Sequence, residues 1–146
     1  MTLDIRRLTP TYAVAPQIDP SDLPALKAAG YVMVIDNRPD GELGSALGAM
    51  IGAEAMAKAA AELGLAFVSN PAMPGSFTPD LVARQRAAIE AAGGPVFAYC
   101  ASGNRSTVVW ELVHAGRIPT DEMLEIAASH GYAHEQFRPL IDSFAR

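Results

Sequence analysis

The sequence predicts a single three-layer α/β domain over residues 1–146, a mostly parallel central sheet flanked by helices, and three observations carry that prediction. Short apolar runs suited to strands alternate with helix-length segments from one end of the chain to the other. The strongest runs are apolar throughout, the pattern of strands covered on both faces in a parallel sheet. The 146 residues, 50% of them hydrophobic, suffice for one core without staples, since a chain near this length buries about 68–70% of its unfolded surface.

Taken in order, Tyr12-Ala13-Val14-Ala15 is an extended run that Pro16 breaks. Asp19-Pro20-Ser21-Asp22 supplies a cap and acidic first-turn residues for a helix through Ala29, stopped by Gly30. Tyr31-Val32-Met33-Val34-Ile35 is a strand that ends at the polar cluster Asp36-Asn37-Arg38-Pro39-Asp40-Gly41. Gly52 to Leu63 is an Ala-rich helix closed by Gly64, followed by the strand Leu65-Ala66-Phe67-Val68. The Gly41 to Gly52 stretch is expected to be a surface loop, with a flap near the site as the alternative.

Two prolines and a glycine make Asn70 to Phe77 a loop. Thr78 then caps a helix with Pro79 at its first position, running to about Ala92 before Gly93-Gly94. Pro95-Val96-Phe97-Ala98-Tyr99 is the third strong strand, closed by Cys100. After Ala101 to Ser106, the apolar positions Val108, Val109, Leu112 and Val113 repeat with helical period, and helices at about Asp121–Ser129 and Glu135–Phe144 finish the chain.

Charge and cysteine content exclude several classes. A formal net charge of -5, with no cluster of basic residues, argues against a nucleic-acid partner, whose binding depends on Lys and Arg neutralising phosphates. The one cysteine cannot form an internal disulfide, and the amino terminus lacks a basic segment followed by an apolar run, so a cytoplasmic setting is expected. In the apolar-looking segment Ala46 to Leu65, Glu54, Lys58 and Glu62 recur at four-residue spacing, which suits one solvated helix face and not a membrane span. No metal is expected, because His114, His130 and His134 have no spacing that puts two ligands beside Cys100, and no cofactor is expected.

Cys100 to Ser106 sits where ligands bind in open parallel sheets, at the carboxyl end of a strand leading into a helix. A short loop around Gly103 can turn successive backbone N–H groups of Ala101, Ser102, Gly103 and Asn104 inward, and the helix beginning near Arg105 adds its positive end. A thiol at the rim of such a cradle ionises readily and is then a nucleophile. Arg105 adds bidentate hydrogen bonding to an oxyanion, and the hydroxyls of Ser106 and Ser102 are candidate donors to the sulfur. Arg38, on the neighbouring strand-end loop, is a candidate second cation, with a surface turn as its alternative. The residues alone leave a second reading open, in which Cys100 is a small apolar core residue and Arg105 a helix-surface charge.

Tyr99 to Ser106 resembles the cysteine–arginine loop shared by rhodanese sulfurtransferases and protein tyrosine phosphatases. With Ala15-Pro16-Gln17, Asn37-Arg38-Pro39-Asp40-Gly41-Glu42 and Met73-Pro74-Gly75 in this order, the chain resembles the bacterial DUF442 family, the phosphatase-like domain of beta-lactamase-hydrolase-like proteins. The resemblance implies a fold like the dual-specificity phosphatases and catalytic roles for Cys100 and Arg105. Members can be joined to a metallo-beta-lactamase-like domain, so it also implies a partner of that kind acting in trans.

Two departures from the phosphatase pattern favour sulfur transfer. Four residues separate Cys100 from Arg105, where phosphatases have five, and Asn70 to Phe77 contains no Asp, Glu or His to protonate a leaving alkoxide. Asp36 and Asp40 are the other candidate acids, with turn formation as their alternative. Tyr99 also stands where phosphatases carry His, and Ala101 where many relatives carry Arg. The leading expectation is a sulfurtransferase in which Cys100 takes sulfur from thiosulfate or a glutathione persulfide. The alternatives are a phosphomonoesterase acting through a phosphocysteine and an inactive anion-binding module.

Overall fold

The carboxyl ends of four parallel strands line up along one edge of the sheet and so define where the loops converge. The computed structural model describes residues 3–42 and 52–146. Among them, β1 (Arg6–Thr9), β2 (Tyr12–Ala15), β3 (Met33–Asp36), β4 (Ala66–Ser69) and β5 (Val96–Tyr99) form one sheet in the order β1-β2-β5-β3-β4. β1 is antiparallel to β2, and the other neighbours are parallel. Ala15 pairs with Tyr99, Tyr99 with Asp36 and Asp36 with Ser69, so the segments after these four residues leave the sheet side by side.

Side chains alternate between two cores because successive strand residues point to opposite faces. Val14, Ile35, Ala98 and Val96 pack with α3 (Pro79–Ala92), α4 (Asn104–Val113), α5 (Thr120–Ser129) and α6 (Arg138–Phe144) through Val82, Trp110, Met123 and Ile141. Ala13, Val34, Phe97 and Tyr99 pack with α1 (Leu23–Ala28) and α2 (Ala53–Glu62) through Leu23, Leu26, Met56 and Ala60. The predicted three layers are the observed ones. Glu54, Lys58 and Glu62 are exposed on α2, as their spacing requires. Among the described residues no helix is long and apolar enough to cross a membrane.

Punctuation read from sequence operates as expected. The Thr78 hydroxyl accepts the Leu81 N–H at 3.2 Å, Pro79 opens α3, and Gly93 ends it at φ +71°. β1 was not foreseen: of its four residues only Leu8 is buried, so this edge strand carries too little apolar signal. The surface-loop or flap expectation for Gly41 to Gly52 falls at 43–51 outside the described residues.

Candidate active site

The Cys100 loop joins β5 to α4, and its backbone is tied to the scaffold through its carbonyls. Ala101 O accepts from Gln17 N at 3.3 Å, Ser102 O from the Tyr132 hydroxyl at 2.9 Å, and Gly103 O from the Thr107 hydroxyl at 2.8 Å. In a planar trans peptide the N–H of the next residue points opposite its neighbour's carbonyl, so a tied carbonyl also fixes the direction of the amide that follows it. One such amide is engaged: Gly103 N–H donates to the Cys100 sulfur at 3.1 Å. Gly103 itself stands at φ +90°, and a Cβ there would overlap the Tyr132 hydroxyl, so the turn has room only for glycine.

The thiol expected at the rim of this ring is instead fully buried, because the loop folds Gly103 back over the sulfur. The Arg105 guanidinium turns inward and is 8% exposed. Its Nη1 donates to Glu42 Oε2 and to the Ala72 carbonyl, both at 2.8 Å, and its Nη2 to Glu42 Oε1 at 2.6 Å. Arg38, also buried, converges on the same group: Nε donates to Glu42 Oε1 at 3.1 Å, Nη2 to the Glu42 carbonyl at 3.2 Å, and Nη1 to Gln17 Oε1 at 3.1 Å. Arg105 first, then Arg38, hold the Glu42 carboxyl below the usual carboxylate range. Glu42 in turn, with Cys100 a further contributor, keeps Arg105 charged.

A buried amide network fixes the three neighbouring loops relative to one another. Asn37 Nδ2 donates to Asn70 O at 2.8 Å and Gln85 Oε1 at 3.0 Å, Asn70 Nδ2 donates to Gln85 Oε1 at 2.8 Å, and Gln85 Nε2 donates to the Tyr12 hydroxyl at 3.1 Å. The Ser106 hydroxyl donates to Asn37 Oδ1 at 3.0 Å. That corrects the role expected for it: the one hydroxyl proton serves this network and not the sulfur. The Ser102 hydroxyl accepts from Asn104 N at 3.2 Å, a contact that does not engage its proton.

The two acid candidates from sequence occupy turns. Asp36 Oδ1 accepts the Arg38 N–H at 2.8 Å, and burial pushes its carboxyl up to about 6. Asp40 Oδ1 accepts the Ala53 N–H at 2.9 Å and so supplies the cap that Gly52, at the start of α2, lacks. Behind the loop, His134 lies between Glu111 and Asn104. Sequence reasoning passed over Glu42, Gln17, Gln85, Glu111, Tyr132 and His134 as site neighbours. Gln17 and Glu42 stand in the motifs that carry the family resemblance, but the others carry no local signal.

A strand–loop–helix with a thiol at the strand end, an amide on its sulfur and a guanidinium turned inward is a local arrangement that suits a phosphatase-like protein. The family model for the beta-lactamase hydrolase-like protein, phosphatase-like domain, matches residues 4–117, and the chain belongs to that family. The beta-lactamase hydrolase-like protein of Agrobacterium fabrum is 32% identical over 128 residues, 86% of this chain and 29% of that protein. This chain thus spans under a third of the length of that curated relative. The crystal structure of a candidate phosphatase from Neisseria meningitidis superposes with a TM-score of 0.81 at 27% identity, covering 97% of this chain and 98% of the other. TpbA of P. aeruginosa, solved in complex with phosphotyrosine, shares the fold with a TM-score of 0.65 at 15% identity, over 99% of this chain and 83% of its own.

Proposed function

We propose that this chain is a cysteine-dependent phosphomonoesterase acting on aryl phosphates. The observation that carries the reading is the convergence of Arg105 and Arg38 on a single carboxylate beside a loop whose Gly103 amide donates to the chain's one thiol. Glu42 stands where an oxyanion with two accepting oxygens belongs, and a phosphoryl group replaces it. Membership in a phosphatase-like family favours phosphoryl over sulfur chemistry, which reverses the preference that loop length had set.

In the first step the Cys100 sulfur attacks phosphorus, the P–O bond to the leaving group breaks, and its electron pair departs with the oxygen. Arg105 and the loop amides hold the remaining oxygens as charge shifts among them. Water then attacks the phosphocysteine, releasing phosphate and returning the thiolate. Asn70 to Phe77 carries no acid, and a leaving oxygen of low basicity needs none, so aryl phosphates are favoured over alkyl phosphates. Phosphotyrosine, the group bound to TpbA, belongs to that class.

Release of aryl oxide from p-nitrophenyl phosphate, abolished by Cys100→Ser and lowered on the order of 100-fold by Arg105→Lys, is the expected result. Turnover that survives Cys100→Ser contradicts the reading. Sulfur transfer is the second reading, favoured by the four-residue spacing between Cys100 and Arg105 and by the acid-free loop. It requires Cys100-dependent thiocyanate formation from thiosulfate and cyanide, without phosphatase activity. Absence of both activities with retained anion binding leaves the binding module. The reading includes a metallo-beta-lactamase-like partner in trans, because the family relatives are much longer proteins, and a reducing cytoplasm that keeps Cys100 as a thiol.

A further inference from the structure

The carboxylates around the Cys100 loop are Asp36, Asp40, Glu111 and Glu42, and the first three are committed elsewhere. Asp36 is buried and accepts the Arg38 N–H, Asp40 accepts the Ala53 N–H at the start of α2, and Glu111 is fully buried against His134. Asn70 to Phe77 holds no Asp, Glu or His, and neither do positions 43–51. Glu42 remains, and among the described residues it is the carboxylate that pairs with Arg105.

Its position follows from graded exposure. The Glu42 side chain is 20% exposed, those of Arg38 and Arg105 are 3% and 10% exposed, and Cys100 is fully buried. The carboxylate therefore stands on the solvent side of the two guanidinium groups, and the Arg105 group is shared between it and the sulfur. Displacement at phosphorus runs nearly in line, so the leaving oxygen departs, and water later enters, on the side away from the sulfur. Glu42 stands on that side. Arg38 also ties it by its main chain: Nη2 donates to the Glu42 carbonyl at 3.2 Å, separately from the contact of Nε with the carboxylate, and Arg38 is itself held by Gln17. A phosphoryl group that takes the carboxylate's place on Arg105 thus frees the side chain without freeing the residue.

We propose that Glu42, displaced from the arginines by the phosphoryl group, is the general base that takes a proton from the water hydrolysing phosphocysteine. In this step the water oxygen bonds to phosphorus, the P–S bond breaks with its electron pair going to sulfur, and one water proton passes to the carboxylate. That proton is then lost to solvent, and the carboxylate returns to Arg105 and Arg38 as phosphate leaves. On the arginines Glu42 is held ionised; away from them and beside a second anion it becomes a stronger proton acceptor. An ionised carboxylate cannot protonate a leaving oxygen, so the first step stays without an acid and the preference for aryl esters is kept. This proposal rests on the phosphomonoesterase reading above and adds the group that serves its second step.

Glu42→Gln keeps the size of the side chain and one accepting oxygen and removes the base. The experiment follows aryl oxide release from p-nitrophenyl phosphate and from dinitrophenyl phosphate, from the first milliseconds into steady state. The variant is expected to release about one equivalent per protein in a burst and then to turn over with kcat lowered on the order of 100-fold, equally for both esters, because the second step limits both. Glu42→Asp keeps a carboxylate and is expected to recover part of that loss. Unchanged kcat in the Glu42→Gln protein, with or without a lower KM, overturns the proposal and leaves Glu42 a resident anion only. A slowed reaction without a burst, faster for the dinitrophenyl ester, puts the defect in the first step and overturns it as well, as does a kcat for Glu42→Asp as low as that of Glu42→Gln. Absence of Cys100-dependent release by the wild-type protein from either ester overturns the phosphomonoesterase reading itself, and the proposal with it.

Discussion

The front and the back of the Cys100 loop are held by contacts of opposite character. In front, two guanidinium groups grip one carboxylate whose side chain is 20% exposed and which belongs to a neighbouring loop. Behind, Tyr132, Thr107 and His134 bind the loop through groups turned into the protein, and Asn37, Asn70 and Gln85 lock the adjoining loops where no water reaches. A carboxylate on two cations can be exchanged for another anion at little cost, whereas a buried amide that loses its partner has none to replace it. The difference separates what shapes the ring from what fills it.

Breaking the back produces the largest effect. Gly103→Ala puts a Cβ into the Tyr132 hydroxyl at a backbone angle of φ +90°, and on the order of 3 kcal/mol of stability is expected to disappear in urea unfolding. Wild-type stability in this variant shows that the back is pliable. Gln85→Leu comes next: it strips Asn37 and Asn70 of a shared acceptor and is expected to cost on the order of 2 kcal/mol by the same measurement, with kcat falling as the loops shift.

Changing the front leaves stability nearly untouched. Glu42→Gln keeps an oxygen that accepts from the buried Arg105 and Arg38 guanidinium groups, so it should alter unfolding free energy by only about 1 kcal/mol, while lowering KM for an aryl phosphate several-fold by removing a competing anion. A rise in KM, or a large loss of stability, shows that Glu42 belongs to the permanent framework. A pH-dependent effect concerns Asp36. Burial raises its folded pKa to about 6, above the unfolded carboxylate value near 4, so the folded chain holds the proton more tightly and stability falls as pH rises through that window. Asp36→Asn keeps the acceptor for the Arg38 N–H and should flatten the dependence of Tm on pH between about 4 and about 6. The Glu42 carboxyl is shifted the other way, so its contribution is lost only below the ordinary carboxylate range.

The same contrast governs what could be read from sequence. Strands β2, β3 and β5, the Thr78–Pro79 cap and the Gly93 stop were legible because burial on both faces and local turn chemistry write themselves into adjacent residues, and the half-exposed edge strand β4 through its short apolar run alone. The ring from Cys100 to Arg105 was legible for the same reason, and Arg38 followed from its place at a parallel strand end. The supports were not. Gln85 lies on a helix between two arginines and Glu111 on a helix among apolar residues, and their partners are 48 and 23 positions away. His134 was set aside because it had no metal-like spacing, a test blind to a histidine that serves an amide. The Cys100 thiol was placed at the rim because inward amides were foreseen without the fold of Gly103 over the sulfur.

In the proposed reaction the Cys100 sulfur takes a phosphoryl group from an oxygen, held by Arg105 where Glu42 now sits. Acid-quenching the protein milliseconds after mixing with an aryl phosphate, and weighing the peptide that contains Cys100, tests it directly. A phosphoryl adduct on that peptide is expected, absent after Cys100→Ser and more abundant after Glu42→Gln. An unmodified peptide while aryl oxide is released, or a peptide that gains only a sulfur atom when thiosulfate is supplied, contradicts it.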